Sequence, residues 1–523
     1  MSDDVELVYQ IVRRWARETP HREALRCGAR AWTWREYEAR MLRVAAGLAA
    51  EGVAPGERIA YYDRNDPAGL DTTLAAALTG AANVVVNWRL SADEVAHVLG
   101  DAEAKIVFVG PDYLPVIEGV RDRLPALRRV IVLDDRTDGT DGYETWLASH
   151  PPAGYDGHAP RPDDCFLQLY TSGTTGFPKG VMLTHRSVGA HTAMGVAAAL
   201  LGQDSVNLVA MPLFHVSGSC WGLLSMQAGG RTVLVRDVDP GAILDTIAAE
   251  RVTHTFFVPA LLAFLLKVPD LASRDLSSLR FLGYGGSPMP MPLLEQCLAA
   301  FPAQDFYQVY GLTEVSGVLS LLGPQDHRDP ALAHRRASAG LPVPGIEVRV
   351  VEPLTGRDLG PGKVGEFWVR GPQTMAGYWR DPEGTGQAFT DEGWLRTGDA
   401  GRLDGDGYLY IDDRIKDMIV TGGENVYPAE VERVLAGHPD VAETAVIGVP
   451  DTTWGEAVKA VVVAAPGATV SPSGLIAYCR DRLAHYKCPS SVDVAESLPR
   501  NLTGKVVKRE LRAPYWAGHE RTV

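Results

Sequence analysis

The sequence predicts an α/β protein with a large, multi-layer N-terminal domain and a smaller α+β domain towards the C-terminal end. At 523 residues the chain exceeds one ordinary hydrophobic core, and about 150 residues per domain gives roughly three folding units. In the first half, short apolar runs lie among helical stretches, which is the pattern of buried strands in layered α/β folds. After Asp417 the chain begins a new, short series of helices and strands.

One amphipathic helix is predicted to begin at residues 33–36 (TWRE), which have the spacing of a capping box. Apolar residues then recur on one helical face, and these are Tyr37, Met41, Val44 and Leu48. Gly52 supplies the stop. Apolar runs at residues 105–109, 130–133 and 255–258 predict buried strands of the α/β domain.

A different periodicity marks the second half. Ile346, Val348 and Val350 alternate with polar residues, and Phe367 and Val369 repeat this period of two, which predicts antiparallel strands. In the C-terminal domain, a short helix is predicted from residue 428 to 435 and a second helix after residue 471. Strands are predicted near residues 445–449 and 458–463.

Composition and charge exclude several classes of protein. A net charge of −15 argues against a nucleic-acid surface. No window approaches the ~20 uninterrupted apolar residues of a membrane span, and the acidic first residues lack the basic region of a signal peptide. A cytoplasmic location is therefore expected. The six cysteines have no CxxC spacing, so reduced thiols and no zinc site are expected.

The most informative motif is residues 170–180 (YTSGTTGFPKG), where glycines and hydroxyl side chains surround one lysine. Small residues leave backbone amides and hydroxyls open to a polyphosphate. The motif is not a Walker A loop, because Lys179 follows a proline and precedes a glycine. The candidate phosphate-binding residues are Thr171, Ser172, Gly173, Thr174, Thr175 and Lys179.

This loop resembles the phosphate-binding signature of the adenylate-forming superfamily, which contains acyl-CoA synthetases, adenylation domains of peptide synthetases and luciferases. The resemblance spans nearly the whole chain. It continues in family order through residues 211–215 (MPLFH), 285–288 (GGSP), 310–314 (YGLTE), 365–366 (GE), 394–399 (WLRTGD), 414–417 (RIKD), 422–428 (GGENVYP) and 499–505 (PRNLTGK).

The resemblance implies a particular domain organisation. The N-terminal domain, residues 1–413, would hold ATP and the acid in two α/β subdomains plus a small β-barrel-like subdomain. Residues 414–523 would form a mobile C-terminal domain, with its hinge near Lys416. Gly423 would line the channel of the coenzyme A pantetheine arm after rotation of this domain, where a side chain would block passage.

The same resemblance assigns the nucleotide-binding residues. Asp399 would accept hydrogen bonds from the ribose hydroxyls, assisted by Arg414. Glu314, a hard oxygen donor next to Thr313, suits a magnesium ion that bridges the phosphates of ATP. The adenine side would be formed by Gly285, Gly286, Ser287, Tyr310 and Gly311.

Two further residues act at the reacting carboxylate in the family. His215 would orient the acid, and Lys505 would reach from the small domain to the carboxylate and the α-phosphate. Residues 216–221 and 283–284 are expected to line an apolar acid pocket. Neither segment contains a cationic residue, so nothing there suggests a second carboxylate on the substrate.

The resulting prediction is a ligase that joins a hydrophobic carboxylic acid to AMP and then transfers the acyl group to coenzyme A. A fatty acid, an aryl acid and a bulky polycyclic acid stay open as substrates. A carrier protein is the alternative acceptor, and a nucleotide-binding regulator without turnover is a third hypothesis. ATP, Mg²⁺ and coenzyme A are the expected small molecules, and a homodimer stays open.

Overall fold

A computed structural model describes residues 6–134, 142–152, 157–171, 178–353, 355–414, 417–421, 424–451, 454–483, 485–500 and 506–517. At residues 413–414 and 424–425 the description covers the backbone alone. Across these ranges, no helix combines the length and the apolar character needed to cross a bilayer.

The chain divides into two compact units. The first contains residues 1–347 and 370–395, and the second contains residues 348–369 and 396–523. The helices of the first unit are α1 Val8–Glu18, α2 Trp34–Ala50, α3 Pro67–Thr79, α4 Ala92–Asp101, α5 Leu114–Val120, α6 Tyr143–Ser149, α7 His185–Ala198, α8 Val216–Gln227, α9 Pro240–Ala249, α10 Pro259–Leu265, α11 Met291–Ala300, α12 Pro324–Arg328 and α13 Pro382–Ala388.

Two large sheets organise the first unit, and both are mainly parallel with antiparallel strands at their edges. The nine-stranded sheet contains β1 Glu23–Cys27, β2 Arg30–Thr33, β9 Val206–Val209, β10 Arg231–Leu234, β11 His254–Phe257, β12 Phe281–Gly285, β13 Asp305–Tyr310, β14 Ser320–Leu322 and β15 Leu341–Pro342. Its order is β15-β14-β13-β12-β11-β9-β10-β1-β2.

The second large sheet has seven strands in the order β18-β8-β7-β4-β3-β5-β6. The strands are β3 Arg58–Tyr62, β4 Ala82–Val85, β5 Ile106–Val109, β6 Arg129–Val132, β7 Cys165–Thr171, β8 Lys179–Thr184 and β18 Gly377–Tyr378. The three predicted apolar strands are thus confirmed as β5, β6 and β11, each within a parallel part of a sheet.

The second unit contains two smaller sheets, of four and of five strands. The four-stranded sheet has the order β16-β17-β19-β20 and contains β16 Glu347–Val351, β17 Gly365–Arg370, β19 Leu395–Leu403 and β20 Leu409–Arg414. The five-stranded sheet is formed by β21 Ile419–Thr421, β22 Glu424–Val426, β23 Val441–Asp451, β24 Gly455–Ala464 and β25 Ser491–Val494. The helices of this unit are α14 Pro428–Ala436, α15 Pro472–Arg480 and α16 Lys508–Trp516.

Local sequence signals explain several of these boundaries. At α2, the Thr33 hydroxyl accepts a hydrogen bond from the Glu36 amide at 3.3 Å, and Glu36 accepts one from the Thr33 amide at 2.8 Å. Gly52, just beyond the helix, has φ +70°. The predicted helices α14 and α15 are confirmed, and the Ser471 side chain caps α15 by accepting from the Gly474 amide.

The C-terminal strands are longer than predicted. β23 has 11 residues and β24 has 10, because they form one antiparallel hairpin in which Val441 pairs with Ala464 and Asp451 pairs with Gly455. The predicted ranges cover only the mainly apolar stretch of each strand, and the hairpin pairing extends both strands beyond it.

Candidate functional site

Lys179 lies at the base of a hairpin. β7 and β8 are antiparallel, and Thr171 pairs with Lys179 across the ladder. The chain between these strands contains residues 172–177, so the predicted phosphate contacts of Ser172, Gly173, Thr174 and Thr175 lie outside the described residues. The hairpin brings Thr171 and Lys179 together at the end of the two strands.

The Lys179 ammonium is engaged by an acidic residue distant in sequence. Its Nζ lies 2.9 Å from Asp381 Oδ2, and the lysine side chain is only 21% exposed. The hydrogen bond from Lys179, together with one from the Gly384 amide, lowers the pKa of the Asp381 carboxyl. Asp381 therefore carries its negative charge beside the predicted phosphate-binding lysine.

Glu314 lies on a single turn, Thr313–Val315, that follows β13. Tyr378 Oη donates a hydrogen bond to Glu314 Oε1 at 3.1 Å, and the Lys179 ammonium lies 5.0 Å from the centre of the Tyr378 ring. Burial, followed by the charge of Glu314, raises the pKa of Tyr378 and keeps its hydroxyl protonated. Tyr378 therefore joins two of the predicted ATP-binding residues.

The few oxygen ligands near Glu314 are enough for a magnesium ion that is bound together with a nucleotide. No group of three or more histidine, cysteine or acidic side chains suited to a metal occurs within the described ranges. Mg²⁺ at nucleotide sites is usually held by one or two carboxylates together with phosphate oxygens and water. The single Glu314 carboxylate, with the neighbouring Thr313 hydroxyl, is a donor set of this kind.

The predicted adenine-side residues lie at the carboxyl ends of two neighbouring parallel strands. Gly285 ends β12 and pairs with Val309 of β13, one residue before Tyr310. A Cβ atom at Gly285 would overlap the Val309 carbonyl, and Gly286 has φ +78°. At Gly311 a Cβ atom would overlap the Gly317 carbonyl. The backbone itself therefore requires these glycines, and the sheet brings both segments together.

The segment before His215 is held by a buried asparagine. Asn65 Nδ2 donates to the Met211 carbonyl at 3.0 Å, and its Oδ1 accepts from the Leu213 amide at 2.9 Å. His215 is the residue that precedes α8, and its carbonyl accepts a hydrogen bond from the Gly218 amide. The position of His215 thus depends on a residue that is about 150 positions earlier in the chain.

Arg89 is a candidate that the sequence analysis missed. Its guanidinium carbon lies 4.2 Å from the centre of the Trp88 ring and 5.8 Å from that of Phe214, the residue before His215. Burial lowers the pKa of Arg89, and no carboxylate among the described residues forms an ion pair with it. A half-buried guanidinium without a counterion is unusual. Nothing in the sequence around Arg89 indicates a half-buried cation, because an arginine in a loop is usually solvated.

The structure corrects one expectation about the acid pocket. Tyr284 is fully buried, and its hydroxyl lies 2.9 Å from His327 Nε2 and 3.2 Å from Gln308 Oε1. Its side chain therefore belongs to the hydrophobic core rather than to a pocket surface. Trp221, on α8, is only partly buried and stacks on Phe281 at a centroid distance of 5.7 Å.

In the second unit, the strand register brings the predicted ribose-binding residues together. Asp399 of β19 pairs with Arg414 of β20, and Asp399 is 4% exposed. The turn before Asp399 is fixed by Glu366, whose Oε1 accepts a hydrogen bond from the Gly398 amide at 2.9 Å. Gly398 has φ +69°, which favours glycine.

Three predicted residues cannot be located in the same way. Lys416, Gly423 and Lys505 lie outside the described residues. Their roles as hinge, channel glycine and catalytic lysine therefore stay predictions from the sequence.

Comparisons with known proteins agree with the resemblance noted in the sequence. A family model described as AMP-binding enzyme matches residues 12–379, and one described as AMP-binding enzyme C-terminal domain matches residues 430–505. The fatty acid–[acyl-carrier-protein] ligase ScoC of Streptomyces coeruleorubidus is 39% identical over 517 residues, which cover 97% of this chain and 96% of the relative. Feruloyl-CoA synthase of an Amycolatopsis species is 42% identical over 501 residues, which cover 95% and 97%.

A solved structure extends this likeness to the fold. ATP-bound MatB from Rhodopseudomonas palustris is 31% identical, with a TM-score of 0.87, and the match covers 98% of this chain and 100% of MatB. The predicted fold class, a large α/β N-terminal domain with a smaller C-terminal domain, is thereby confirmed. The chain belongs to the AMP-binding enzyme family, the adenylate-forming superfamily, and is a ligase.

Proposed function

We propose that the protein activates a hydrophobic carboxylic acid with ATP and transfers the acyl group from the resulting acyl adenylate to coenzyme A. The observation that supports this most strongly is the approach of Lys179 and Glu314 to one residue, Tyr378. A cation and a carboxylate at one place suit a chain of phosphates with its divalent counterion. Membership of the family supports ATP and coenzyme A as the substrates.

In the first half-reaction a carboxylate oxygen attacks the α-phosphorus of ATP, and pyrophosphate leaves. Both reactants are anions, so catalysis depends on countercharge and on positioning. We propose that Thr171 and Lys179 bind the departing phosphates, while Asp399 and Arg414 hold the ribose. Bound magnesium would supply countercharge to the phosphate oxygens, with Glu314 as its protein ligand.

We propose two further roles at the reacting carboxylate. His215 orients the acid. The hydrogen bonds of Asn65 to the preceding segment hold this histidine in place for that role. Lys505 brings its ammonium to the carboxylate and the α-phosphate, where negative charge accumulates in the transition state.

The second half-reaction requires the coenzyme A thiol to attack the acyl carbonyl that Lys505 approaches in the first. We propose that residues 414–523 move as a domain against residues 1–413, and that rotation at Lys416 removes Lys505 and brings Gly423 to the pantetheine channel. A carrier protein is the second candidate acceptor. The two relatives differ on this point, since one is named as a carrier-protein ligase and the other as a CoA synthase, at similar identity.

We propose that Arg89 binds an anion of one substrate, because its guanidinium has no ion-pair partner in the described part of the chain. Replacing Arg89 with alanine is expected to raise the KM of that substrate by about tenfold, the equivalent of one charge-assisted hydrogen bond. Steady-state kinetics with each substrate varied in turn identifies it. A KM increase for the acid alone indicates that Arg89 binds the carboxylate of the acid. A KM increase for coenzyme A alone indicates that it binds the phosphates of coenzyme A. Unchanged KM values for all three substrates would contradict the assignment.

The proposed function is tested by offering purified enzyme a library of fatty, aryl and polycyclic acids with ATP, Mg²⁺ and coenzyme A. We expect at least one acid to yield AMP, pyrophosphate and an acyl thioester in equal amounts. Thioester formation only with a carrier protein would identify the alternative acceptor. Release of ADP and phosphate would contradict the reaction, and binding of ATP without turnover of any acid would favour a nucleotide-binding regulator.

The relatives also narrow the choice of acids to test first. Their names specify a fatty acid and ferulic acid, an aryl acid, which are two of the classes left open by the sequence. A cytoplasmic location and a homodimer stay predictions. Fractionation of the producing cells tests the first, and sedimentation equilibrium of the purified protein tests the second.

A further inference from the structure

The segment from Tyr378 to Asp381 connects β18 to α13 and contains two residues whose side chains contact the Lys179 ammonium. We infer that Asp381 and Tyr378 are positioning residues, which hold the Lys179 ammonium at the place where the phosphates of ATP bind. This inference rests on the proposed function, because it assumes that Lys179 is a phosphate ligand. It adds a role for a segment about 200 residues from the phosphate loop.

The strand pairing explains how this segment reaches Lys179. β18 is antiparallel to β8, with Tyr378 opposite Val181. The Trp379 amide then donates to the Gly180 carbonyl at 2.7 Å, so the segment runs alongside β8 to the N-terminal end of that strand. Because β8 begins at Lys179, the residues after Trp379 arrive beside the lysine side chain.

A strained residue then reverses the chain. Arg380 has φ +52°, a left-handed conformation that costs a non-glycine residue about 1 kcal/mol. The reversal leaves Asp381 as the residue that precedes α13. Its Oδ1 accepts a hydrogen bond from the Gly384 amide at 2.7 Å, and its Oδ2 lies 2.9 Å from Lys179 Nζ. One carboxylate oxygen is thus fixed by the helix, and the other fixes the lysine.

Such an arrangement favours ATP binding for an entropic reason. A free lysine side chain has several rotatable bonds, and ordering it on binding phosphate costs up to about 2 kcal/mol. Asp381 uses one of the three ammonium donors, and the Tyr378 ring lies against the same group. Among the described residues Asp381 is the ion-pair partner of the ammonium, which leaves its other donors to phosphate oxygens, and the lysine is already in place before ATP arrives.

Two glycines of α13 provide a matched test. A Cβ atom at Gly384 would overlap both Asp381 Oδ2 and Lys179 Nζ, whereas at Gly386 nothing lies within 4 Å. Gly384→Ala therefore disturbs the contact between the Asp381 carboxylate and the lysine ammonium without replacing either residue. Gly386→Ala makes the same substitution in the same helix. We expect Gly384→Ala to weaken MgATP binding by about tenfold and Gly386→Ala to change it by less than about twofold.

Calorimetric titration of MgATP into each full-length variant, without any acid, measures this binding directly. Asp381→Asn retains a capping oxygen but removes the charge, and it is expected to weaken binding to a similar extent as Gly384→Ala. In a Lys179→Ala background, neither substitution should have a further effect, because its target is already absent.

The outcomes separate this inference from the function on which it rests. Wild-type enzyme that fails to bind MgATP would overturn the proposed function itself. Wild-type binding together with equal affinities of the Gly384→Ala and Gly386→Ala variants would overturn only the positioning role. An equal loss of MgATP affinity in the wild-type and Lys179→Ala backgrounds would also overturn it, since the effect of the substitutions would then not depend on the lysine.

Discussion

Replacing Lys505 with alanine is expected to reduce the rate of acyl-adenylate formation by about a thousandfold. The reacting carboxylate and the α-phosphate repel each other, and removing one group that stabilises transition-state charge in a desolvated site typically costs this much. Thioester formation from a supplied acyl adenylate should change by less than about threefold, because Lys505 would have left the site before coenzyme A attacks.

The measurement follows each half-reaction separately, by pyrophosphate release for the first and by thioester formation for the second. Lys508→Ala is a suitable control, since Lys508 lies three residues further and its ammonium is 2.9 Å from Glu432 Oε1. Its loss should leave adenylate formation nearly unchanged. An equal reduction of both half-reactions in Lys505→Ala would contradict the assignment of this lysine to adenylation.

Replacing Asp399 with asparagine is expected to raise the KM for ATP by about a hundredfold. The buried carboxylate lies opposite Arg414, and its preceding turn is held by Glu366. An aspartate there can accept hydrogen bonds from both ribose hydroxyls. An asparagine has only one acceptor oxygen, and its NH2 group cannot accept the hydrogen bond that the second hydroxyl donates. Losing one charge-assisted bond and turning the other into a weaker neutral bond corresponds to about 3 kcal/mol.

Deoxynucleotides test whether this loss passes through the ribose. In wild-type enzyme, 2′-deoxy-ATP and 3′-deoxy-ATP should each have a raised KM, and in Asp399→Asn these penalties should largely disappear. Asp412→Asn serves as a control, because Asp412 is a buried carboxylate of the neighbouring strand that pairs with Arg402. That variant is expected to lose stability yet keep the full penalty for each deoxynucleotide. If the Asp399→Asn variant kept the full KM increase for both deoxynucleotides, a contact between Asp399 and the ribose hydroxyls would be excluded.

Two helices with local start signals, α2 and α14, were predicted correctly. The capping box at residue 33 and the proline at residue 428 specify helix starts through contacts between residues only a few positions apart. Apolar runs likewise marked β5, β6 and β11. The order of the strands was not predictable from these signals, because each large sheet combines strands that are far apart in the sequence.

Some residues of the candidate site were likewise predicted from the sequence, and others were found only in the structure. The sequence alone predicted Lys179, Glu314 and Asp399, because each lies in a motif whose residues recur in a known superfamily. It did not predict Asp381 or Arg89, which have no motif of their own. Tyr284 was expected at a pocket surface, but its hydroxyl bonds to His327, a partner that local periodicity cannot identify.

By itself, the sequence determined the family of the protein, the local elements and the chemical groups that suit a nucleoside triphosphate. Only the tertiary structure decided which of these groups meet, such as Lys179 with Asp381 and Glu314 with Tyr378. The physical reason is that motifs and periodicity report on neighbouring residues. A contact across about 200 residues depends instead on the pairing of β18 with β8, which the whole sheet establishes.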